Sequence, residues 1–320
     1  MELSYELVLK VRPDVETRAR RTPLDFSPAL SDASGHDVYV KCENLQKTGS
    51  FKIRGATAKM ASLSSDERRR GVVAASAGNH GQGVAWVARD LGIEATVHVP
   101  SVIPQTKLEA IKRFGARVVV AATPGYDRME AEAMEACERD GKTWISPYDD
   151  PWIMAGGGTV ACEIFEEIED VEALLIPAGG GGLAVGMGVV ARSVSPRTRV
   201  IGVNTSASPG LFLSRRDGRA YLTLDSEPTI AEGLEGGLSA RAFELTNRYL
   251  DDVVVAKEER LGNAIAHTLA HHHFAIEGSA AVSVAALLDG QIAGHGRRVV
   301  VVLSGGNIDY ARLKKLVAEN

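Results

Sequence analysis

Cysteine is scarce in this chain of 320 residues, which contains only Cys42, Cys137 and Cys162. An odd number of cysteines without a CxxC spacing argues against a disulfide framework and against a zinc site. No apolar stretch approaches the roughly 20 residues that a membrane-spanning helix needs. The first residues, Met-Glu-Leu-Ser-Tyr-Glu, contain no basic region leading into an apolar run, so no signal peptide is expected. These absences predict a cytoplasmic protein.

A strong excess of one charge is also missing. The net charge of −5 is mild and gives no support for binding to nucleic acid or to a membrane. Hydrophobic residues make up 45% of the chain and charged residues 24%, which is the ordinary balance of a soluble globular protein. Glycine is abundant instead, with 33 residues, and short glycine runs are typical of places where the backbone approaches another group closely.

Helical segments and short β-branched segments alternate along the chain. This alternation predicts an α/β fold in which open, mostly parallel twisted sheets are covered by helices. The predicted strands are residues 38–41, 72–75, 95–99, 117–121, 174–177, 200–203, 252–255 and 298–303. Pro13 is expected to open a short helix that ends in the basic group around Arg18.

The length of the chain exceeds that of a usual single core, so two domains are expected. We predict a large domain from residues 1–70 and 149–320 and a small domain inserted between them at residues 71–148. Open α/β sheets bind ligands at the carboxyl ends of their strands. A binding site is therefore expected in the cleft between the two domains.

Lys52 lies between a predicted strand and a predicted helix, just after a Gly-Ser turn and beside Phe51. A lysine that acts as a nucleophile needs a lowered pKa, and partial burial beside apolar groups lowers it by disfavouring the ammonium form. The alternative is a solvated lysine in a polar loop, which is the usual environment of this residue type.

A run of four glycines follows the predicted strand at residues 174–177 and precedes a predicted helix. Main-chain N–H groups can converge on an anion at such a place, and the helix N-terminus adds a favourable dipole. The alternatives are a flexible turn and a dinucleotide-binding turn, although the sequence matches GxGxxG only loosely. The pattern favours a phosphate site.

Two further strand ends are followed by small polar residues. Residues 76–80 read Ser-Ala-Gly-Asn-His before a predicted helix, where N–H groups and short side chains can hold a carboxylate or cap the helix. Ser304 ends the last predicted strand, and its hydroxyl can bond to a ring nitrogen or simply form part of a turn.

The segment Ser-Phe-Lys-Ile-Arg-Gly-Ala at residues 50–56 resembles the lysine motif of the pyridoxal-phosphate (PLP) enzymes of fold type II. In particular, it is similar to the motif of the threonine/serine ammonia-lyases (dehydratases) and the serine racemases. Four separated motifs occur in the order found in this family, between Arg21 and Asn307. The resemblance implies two α/β domains with PLP in the cleft between them.

The resemblance also implies a role for each motif. Lys52 binds PLP covalently beside Phe51, Asn79 contacts the 3′-oxygen, Ser304 bonds to the pyridine nitrogen, and Glu277 lies near the cofactor. The PLP phosphate is held by the backbone of Gly179, Gly180, Gly181, Gly182 and Leu183. The substrate carboxylate is held by Ser76, Ala77, Gly78, Asn79 and His80. Arg128 is a further candidate for carboxylate binding, with an exposed helix arginine as the alternative.

The chain departs from the family pattern at three places. Ala77 stands where serine racemases have a serine that acts as an acid/base, which argues against racemisation. Gly157 stands where the family often has glutamine, which leaves space beside the site. The strand at residues 200–203 is followed by Asn204 and no carboxylate, so no metal site is predicted. The histidines at positions 267, 271, 272 and 273 are interpreted as solvated or interface residues.

These observations predict a PLP-dependent ammonia-lyase that converts L-threonine or L-serine to a 2-oxo acid and ammonia by β-elimination. Because Ser304 is neutral, the pyridine ring is a weak electron sink, which favours elimination. The alternatives are a dehydratase for phenylserine, hydroxyaspartate or an ectoine-derived amino acid, an amino-acid racemase, a β-replacement synthase, and a non-catalytic binding module. The only predicted partners are the small amino-acid substrate and, by resemblance, a second copy in a homodimer.

Overall fold

The structure is a computed structural model that describes residues 2–76, 78–101, 103, 105–122 and 126–319. Its strands are β1 (Leu24–Phe26), β2 (Asp37–Lys41), β3 (Val72–Ala75), β4 (Ala95–Val99), β5 (Arg117–Val120), β6 (Thr143–Trp144), β7 (Ala173–Pro177), β8 (Arg199–Thr205), β9 (Asp252–Ala256) and β10 (Arg298–Val302).

Helices connect most of these strands. They are α1 (Tyr5–Arg18), α2 (Pro28–Ser34), α3 (Lys52–Ala61), α4 (Ser65–Arg70), α5 (Asn79–Leu91), α6 (Gln105–Arg113), α7 (Tyr126–Arg139), α8 (Pro151–Glu167), α9 (Gly182–Val194), α10 (Gly210–Asp217), α11 (Ala240–Tyr249), α12 (Leu261–His272), α13 (Gly278–Leu288) and α14 (Tyr310–Glu319), with short 3-10 helices at Glu43–Leu45, Glu232–Leu234 and Glu258–Arg260. None of the helices, within the described ranges, is long and apolar enough to cross a membrane.

The strands form two sheets. The larger sheet has the order β1-β2-β10-β7-β8-β9, and the smaller sheet has the order β5-β4-β3-β6. Every neighbouring pair is parallel except β1 and β2. The predicted α/β fold with mostly parallel sheets is confirmed, and all eight predicted strands are present. The short strands β1 and β6 were not predicted.

The smaller sheet uses residues between Val72 and Trp144, and the larger sheet uses residues on both sides of that range. The division of the chain at residues 71 and 148 into two domains stays a prediction. The carboxyl ends of β2, β7 and β10 lie side by side in the larger sheet, because the three strands are parallel neighbours. The segments that follow these strands therefore meet at one edge.

Helix α1 begins earlier than the sequence predicted. It starts at Tyr5, and the hydroxyl of Ser4 accepts a hydrogen bond from the backbone N–H of Leu7 at 3.3 Å. Pro13 lies inside the helix, so the prediction that it opens a helix was wrong. Proline removes one backbone hydrogen bond from a helix interior, and the buried stripe that includes Val11 and Val15 offsets this loss.

Glycines allow α8 to pack with its backbone against α3 on one side and α9 on the other. A Cβ atom at Gly156 would lie 2.5 Å from the carbonyl oxygen of Arg54, and one at Gly158 would lie 2.7 Å from that of Gly186. Real Cβ atoms do not approach backbone atoms this closely, so the sequence of α8 fixes how near the two neighbouring helices lie. The position of α3 matters because Lys52 is its first residue.

We predict that Gly158→Ala lowers the free energy of unfolding by about 1–3 kcal/mol, because the added methyl group overpacks the contact with α9. The adjacent variant Gly157→Ala is the matched control, since a Cβ atom there would make only ordinary contacts, the nearest 3.4 Å from Leu183. Alanine has the higher helix propensity, so the control should be as stable as the parent or more stable. Urea denaturation of the three proteins measures the difference, and equal stability of the two variants would contradict the prediction.

Candidate active site

Three chain segments that follow parallel strands contact one another. Residues 42–52 follow β2, residues 78–80 lie just after β3, and residues 303–307 follow β10. The glycine run at residues 179–182 follows β7 and packs against Tyr148. The backbone N–H of Phe51 donates to the carbonyl oxygen of Ser304 at 3.1 Å, and Ser50 forms an isolated bridge with Gly305. The lysine segment and the last strand are thus joined directly.

The amine of Lys52 lies at the start of α3 and is held by one backbone contact. Its Nζ donates a hydrogen bond to the carbonyl oxygen of Pro147 at 2.7 Å and lies 5.2 Å from the centre of the Phe51 ring. Burial lowers the pKa of Lys52 to about 8, although the carboxylate of Glu277 opposes this shift. A substantial fraction of the amine is therefore neutral near physiological pH, as a nucleophile or a base requires.

Glu277 is connected to the segment before Lys52 through the side-chain amides of Asn79 and Asn307. Its Oε1 accepts a hydrogen bond from Asn79 Nδ2 at 2.6 Å, and Asn79 Oδ1 accepts from Asn307 Nδ2 at 2.7 Å. Burial raises the pKa of Glu277 to about 7, and the bond from Asn79 acts in the opposite direction. Glu277 precedes α13 but forms no side-chain cap, so its carboxyl group is directed to the site and does not cap the helix.

Asn307 was not assigned a role from the sequence. Its amide nitrogen also donates to the carbonyl oxygen of Thr48 at 2.8 Å, and so it links the lysine segment to Asn79. A Cβ atom at Gly49 would collide with the Asn307 side chain, which explains the glycine before Ser50. The only signal in the sequence was the place of Asn307 at the end of a glycine-rich motif.

The glycine run forms a tight turn between β7 and α9. Gly181 has a left-handed backbone with φ of 82° and provides no side chain to cap the helix. The first N–H groups of a helix have no acceptors within it, so those at the start of α9 are available to an anion. A Cβ atom at Gly180 would lie 2.6 Å from the Tyr148 ring, and one at Gly179 would lie 2.9 Å from Leu234. The loop is therefore constrained and is not a flexible turn.

Asn204 supports this loop from the neighbouring strand. Its side chain is fully buried, with the amide nitrogen donating to the carbonyl oxygen of Ala178 and Oδ1 accepting from the N–H of Phe212 at 2.9 Å. The sequence showed only that a carboxylate is missing at this position. An asparagine that ends a buried apolar strand was the available signal for this contact.

The segment that leads into α5 and the first turn of this helix combine backbone donors with a buried histidine. The hydroxyl of Ser76 accepts a hydrogen bond from the N–H of Gly78 at 3.1 Å, and His80 Nε2 donates to the carbonyl oxygen of Ile145 at 2.9 Å. Burial, with a smaller effect of the nearby Lys52, lowers the pKa of His80 to about 3. His80 is therefore neutral at physiological pH. Ala77 lies outside the described residues.

The other residues singled out in the sequence lie as follows. Ser304 is buried at the end of β10, and Leu183 is buried in the first turn of α9. The side chain of Arg128 is 72% exposed and lies 3.6 Å from Glu132 one turn along α7, so the structure gives no support to a role in binding. The roles predicted for all the site residues stay predictions.

The histidine cluster forms local contacts at the end of α12. The rings of His267 and His271 stack edge to face at 4.5 Å, and His272 Nε2 lies 2.8 Å from the hydroxyl of Ser27. His273 ends the helix with a left-handed φ of 59°. No group of three metal-ligating side chains occurs among the residues that the structure describes.

The site has the donor set that PLP requires. The free N–H groups at the start of α9 match a phosphate dianion, and the Lys52 amine can form a covalent bond with an aldehyde. The buried lysine of lowered pKa is bonded to Pro147, and the constrained glycine loop packs against the next residue, Tyr148. This arrangement fits a phosphorylated aldehyde, which is the chemistry of the PLP enzymes.

Comparison with known proteins gives the family. Residues 15–305 match the family described as pyridoxal-phosphate dependent enzyme, and the chain belongs to this family. The predicted cofactor is therefore confirmed. The chain is 40% identical over 319 residues to an L-threonine ammonia-lyase of Thermotoga maritima, which covers 98% of this chain and 78% of that protein.

Solved structures have the same fold. The processed form of threonine deaminase isoform 2 from Solanum lycopersicum is similar with a TM-score of 0.91 and 31% identity, covering 98% of this chain and 92% of that one. Maize serine racemase is similar with a TM-score of 0.93 and 27% identity, covering 100% of this chain and 98% of that one. The predicted fold type II architecture is confirmed by these similarities.

We predict that covalent attachment of PLP to the apoprotein accelerates about tenfold between pH 7 and pH 9 and little beyond, because the neutral fraction of an amine of pKa about 8 rises by that factor. The rate is measured by borohydride trapping and mass spectrometry, with Lys52→Ala as the unreactive control. A rate that continues to rise tenfold per pH unit up to pH 10 would indicate an ordinary solvated lysine.

The pKa of Glu277 predicts a pH-dependent stability of the apoprotein. An acid whose pKa is raised from 4.5 to about 7 in the fold destabilises the fold progressively as pH rises through that interval, by about 3 kcal/mol in total. The variant Glu277→Gln should therefore gain stability relative to the parent between pH 5 and pH 8.

Thermal unfolding of both apoproteins across this range checks the prediction. Glu94→Gln serves as the control, because the Lys142 ammonium lowers the pKa of Glu94 out of the range scanned and its difference from the parent should stay flat. A stability difference for Glu277→Gln that does not change with pH would contradict the assignment.

Proposed function

We propose that this protein is a PLP-dependent ammonia-lyase that converts L-threonine or L-serine to the corresponding 2-oxo acid and ammonia. It is a carbon-oxygen lyase, because the reaction breaks the bond between Cβ and the hydroxyl oxygen. The observation that supports this reaction best is the amine of Lys52, which burial keeps partly neutral. The 40% identity to a threonine ammonia-lyase over 98% of the chain supports the substrate class.

Lys52 has two tasks in this proposal. Its amine holds the cofactor and, once free, removes the proton from Cα of the substrate as a general base. The Pro147 carbonyl, 2.7 Å from Nζ, orients the amine for both tasks. The bound cofactor supplies the electron sink that makes this proton acidic. His80 is neutral, since its pKa is about 3, and does not compete for the proton.

The elimination needs a leaving group, and it needs the phosphate and the substrate carboxylate to be held in place. The substrate hydroxyl leaves Cβ as water with the proton that Lys52 removed from Cα, and hydrolysis of the remaining enamine gives the 2-oxo acid and ammonia. The backbone of residues 179–183 holds the phosphate, and the donors of residues 76–80 hold the substrate carboxylate. Because both anions are bound by N–H dipoles, no cationic side chain is required beside the reacting carbon.

The segment around Leu234 is proposed to select among β-hydroxy amino acids. It packs against the phosphate loop, since a Cβ atom at Gly179 would lie 2.9 Å from Leu234. Next to it, Glu232 forms ion pairs with Lys107 of α6 and Arg312 of α14, and burial raises the pKa of Glu235. These charged groups beside the loop make a more polar substrate, such as hydroxyaspartate, the alternative to threonine and serine.

Racemisation is the second candidate, because maize serine racemase shares the fold. The neutral His80 and the alanine at position 77 provide no second proton donor, which argues for elimination. We further propose a cytoplasmic enzyme that binds neither nucleic acid nor membranes, as the composition predicts, and that forms a homodimer, as the family resemblance implies.

The function is tested by assaying 2-oxo acid and ammonia from a panel of β-hydroxy amino acids with the purified holoenzyme. Equal amounts of the two products, from threonine or serine, are expected, and the variant Lys52→Ala should lose more than about 10³-fold in kcat. Lys59→Ala is the matched control, because Lys59 lies on the same helix and pairs with Asp150 at 2.7 Å; it should keep nearly full activity.

Chiral chromatography of the remaining substrate distinguishes the second candidate. A protein that binds PLP and inverts the substrate without releasing a 2-oxo acid would be a racemase, and the lyase proposal would fail. A new amino acid formed only after addition of a thiol or indole would indicate a β-replacement synthase, and a bound ligand without any turnover would indicate a binding module.

A further inference from the structure

Two residues beyond Lys52, the fold buries a cluster of four charged side chains that the reaction does not use. We name Lys41, Glu43, Arg54 and Glu163 the buried ion cluster. The side chains of all four are between 0% and 4% exposed, and two positive charges meet two negative charges. An unpaired charge in this position would be strongly unfavourable, so the four side chains depend on one another.

Arg54 is the centre of the buried ion cluster. Its guanidinium binds Glu43 through Nε at 2.8 Å and Nη2 at 2.7 Å, and binds Glu163 through Nη1 at 2.6 Å and Nη2 at 2.9 Å. The hydroxyl of Thr159 accepts a further bond from Nη1 at 3.1 Å. Two bidentate pairs fix the plane and the direction of the guanidinium, which a lysine ammonium could not do.

The other three members of the buried ion cluster come from three different elements. Glu43 lies in the 3-10 helix after β2, Glu163 lies on α8, and Lys41 ends β2 and contacts Glu163 at 2.7 Å. Arg54 itself lies in the first turn of α3, whose N-cap residue Phe51 forms no side-chain cap. The buried ion cluster thus connects the start of α3 both to the carboxyl edge of the larger sheet and to α8.

A buried ion pair contributes little net stability compared with apolar residues of the same shape, but it specifies one geometry. We propose that Arg54 is a positioning residue for Lys52, which it places by fixing the first turn of α3 against Glu43 and Glu163. The proposal rests on the role of Lys52 in the proposed function. Without the two bidentate pairs, the start of α3 can shift, and the amine loses its fixed place beside the Pro147 carbonyl.

The test uses the variant Arg54→Lys, which keeps the positive charge and loses the two bidentate pairs with Glu43 and Glu163. The expected result for the holoenzyme is a fall in kcat of at least about tenfold with KM changed less than about twofold, because the substrate carboxylate is held elsewhere. In the apoprotein, the pH midpoint for covalent attachment of PLP should move upward from about 8 by about one unit, since a displaced amine is better hydrated.

Met60→Ala is the matched control for lost stability. Met60 is a fully buried residue of the same helix, and its truncation costs about 2–5 kcal/mol without touching the buried ion cluster. This variant should keep the parent's pH midpoint and kcat. If Arg54→Lys lowers stability as Met60→Ala does and leaves both readouts unchanged, Arg54 is only a structural residue and the proposal is overturned.

A milder variant keeps the proposal testable if Arg54→Lys does not fold. Thr159→Val removes the hydroxyl that accepts a hydrogen bond from Arg54 and preserves the shape of the side chain. We therefore expect a smaller upward shift of the pH midpoint for covalent attachment of PLP. No shift in this variant would count against the proposal. The midpoint is measured without turnover, so it still reports on Arg54 if the parent enzyme proves inactive on every β-hydroxy amino acid and the proposed function fails.

Discussion

The chemistry at this site depends on one physical condition, which is that a lysine amine is taken out of water and left without a strong counter-charge. A hydrated lysine is almost entirely an ammonium at neutral pH and can neither attack an aldehyde nor accept a proton. The amine of Lys52 donates a hydrogen bond to the carbonyl oxygen of Pro147. This oxygen accepts the hydrogen bond but bears no full charge. Burial can therefore lower the pKa to about 8.

The first turn of α3, which begins at Lys52, is held by backbone-to-backbone packing. A Cβ atom at Gly83 of α5 would lie 3.2 Å from the backbone of Lys52, and one at Gly55 of α3 would lie 2.9 Å from the carbonyl oxygen of Ile153. Helices that approach this closely leave little room for water around the first turn of α3. Glycines outside the run at residues 179–182 thus fix the position of the turn that carries Lys52.

The sequence predicted the features that depend on local pattern. Alternating helices and β-branched strands sufficed for the two-sheet α/β fold, and the glycine run and the lysine motif sufficed for the cofactor. Strands β1 and β6 were missed because segments of three and two residues have no periodicity of their own. The helix through Pro13 was placed wrongly because tertiary burial of its apolar face outweighs the local cost of a proline.

The contacts between distant residues could not be predicted in this way. Asn79 and Glu277 are 198 positions apart, and Arg54 and Glu163 are 109 positions apart, so no local spacing relates them. Each lies in a segment with an obvious local interpretation, as a helix cap or a surface charge. Only the tertiary packing of strands and helices brings the two residues of each pair together.

Burial acts on the two titrating groups of the site in the same sense, since it favours the neutral form of each. It lowers the pKa of Lys52 to about 8 and raises that of Glu277 to about 7, while their mutual attraction opposes both shifts. If the two formed a full ion pair, the amine would be held as ammonium and could not accept the Cα proton. The amide of Asn79 binds Glu277 directly and satisfies the carboxyl group, so Lys52 is left without a full ion pair, as the proposed role in proton transfer requires.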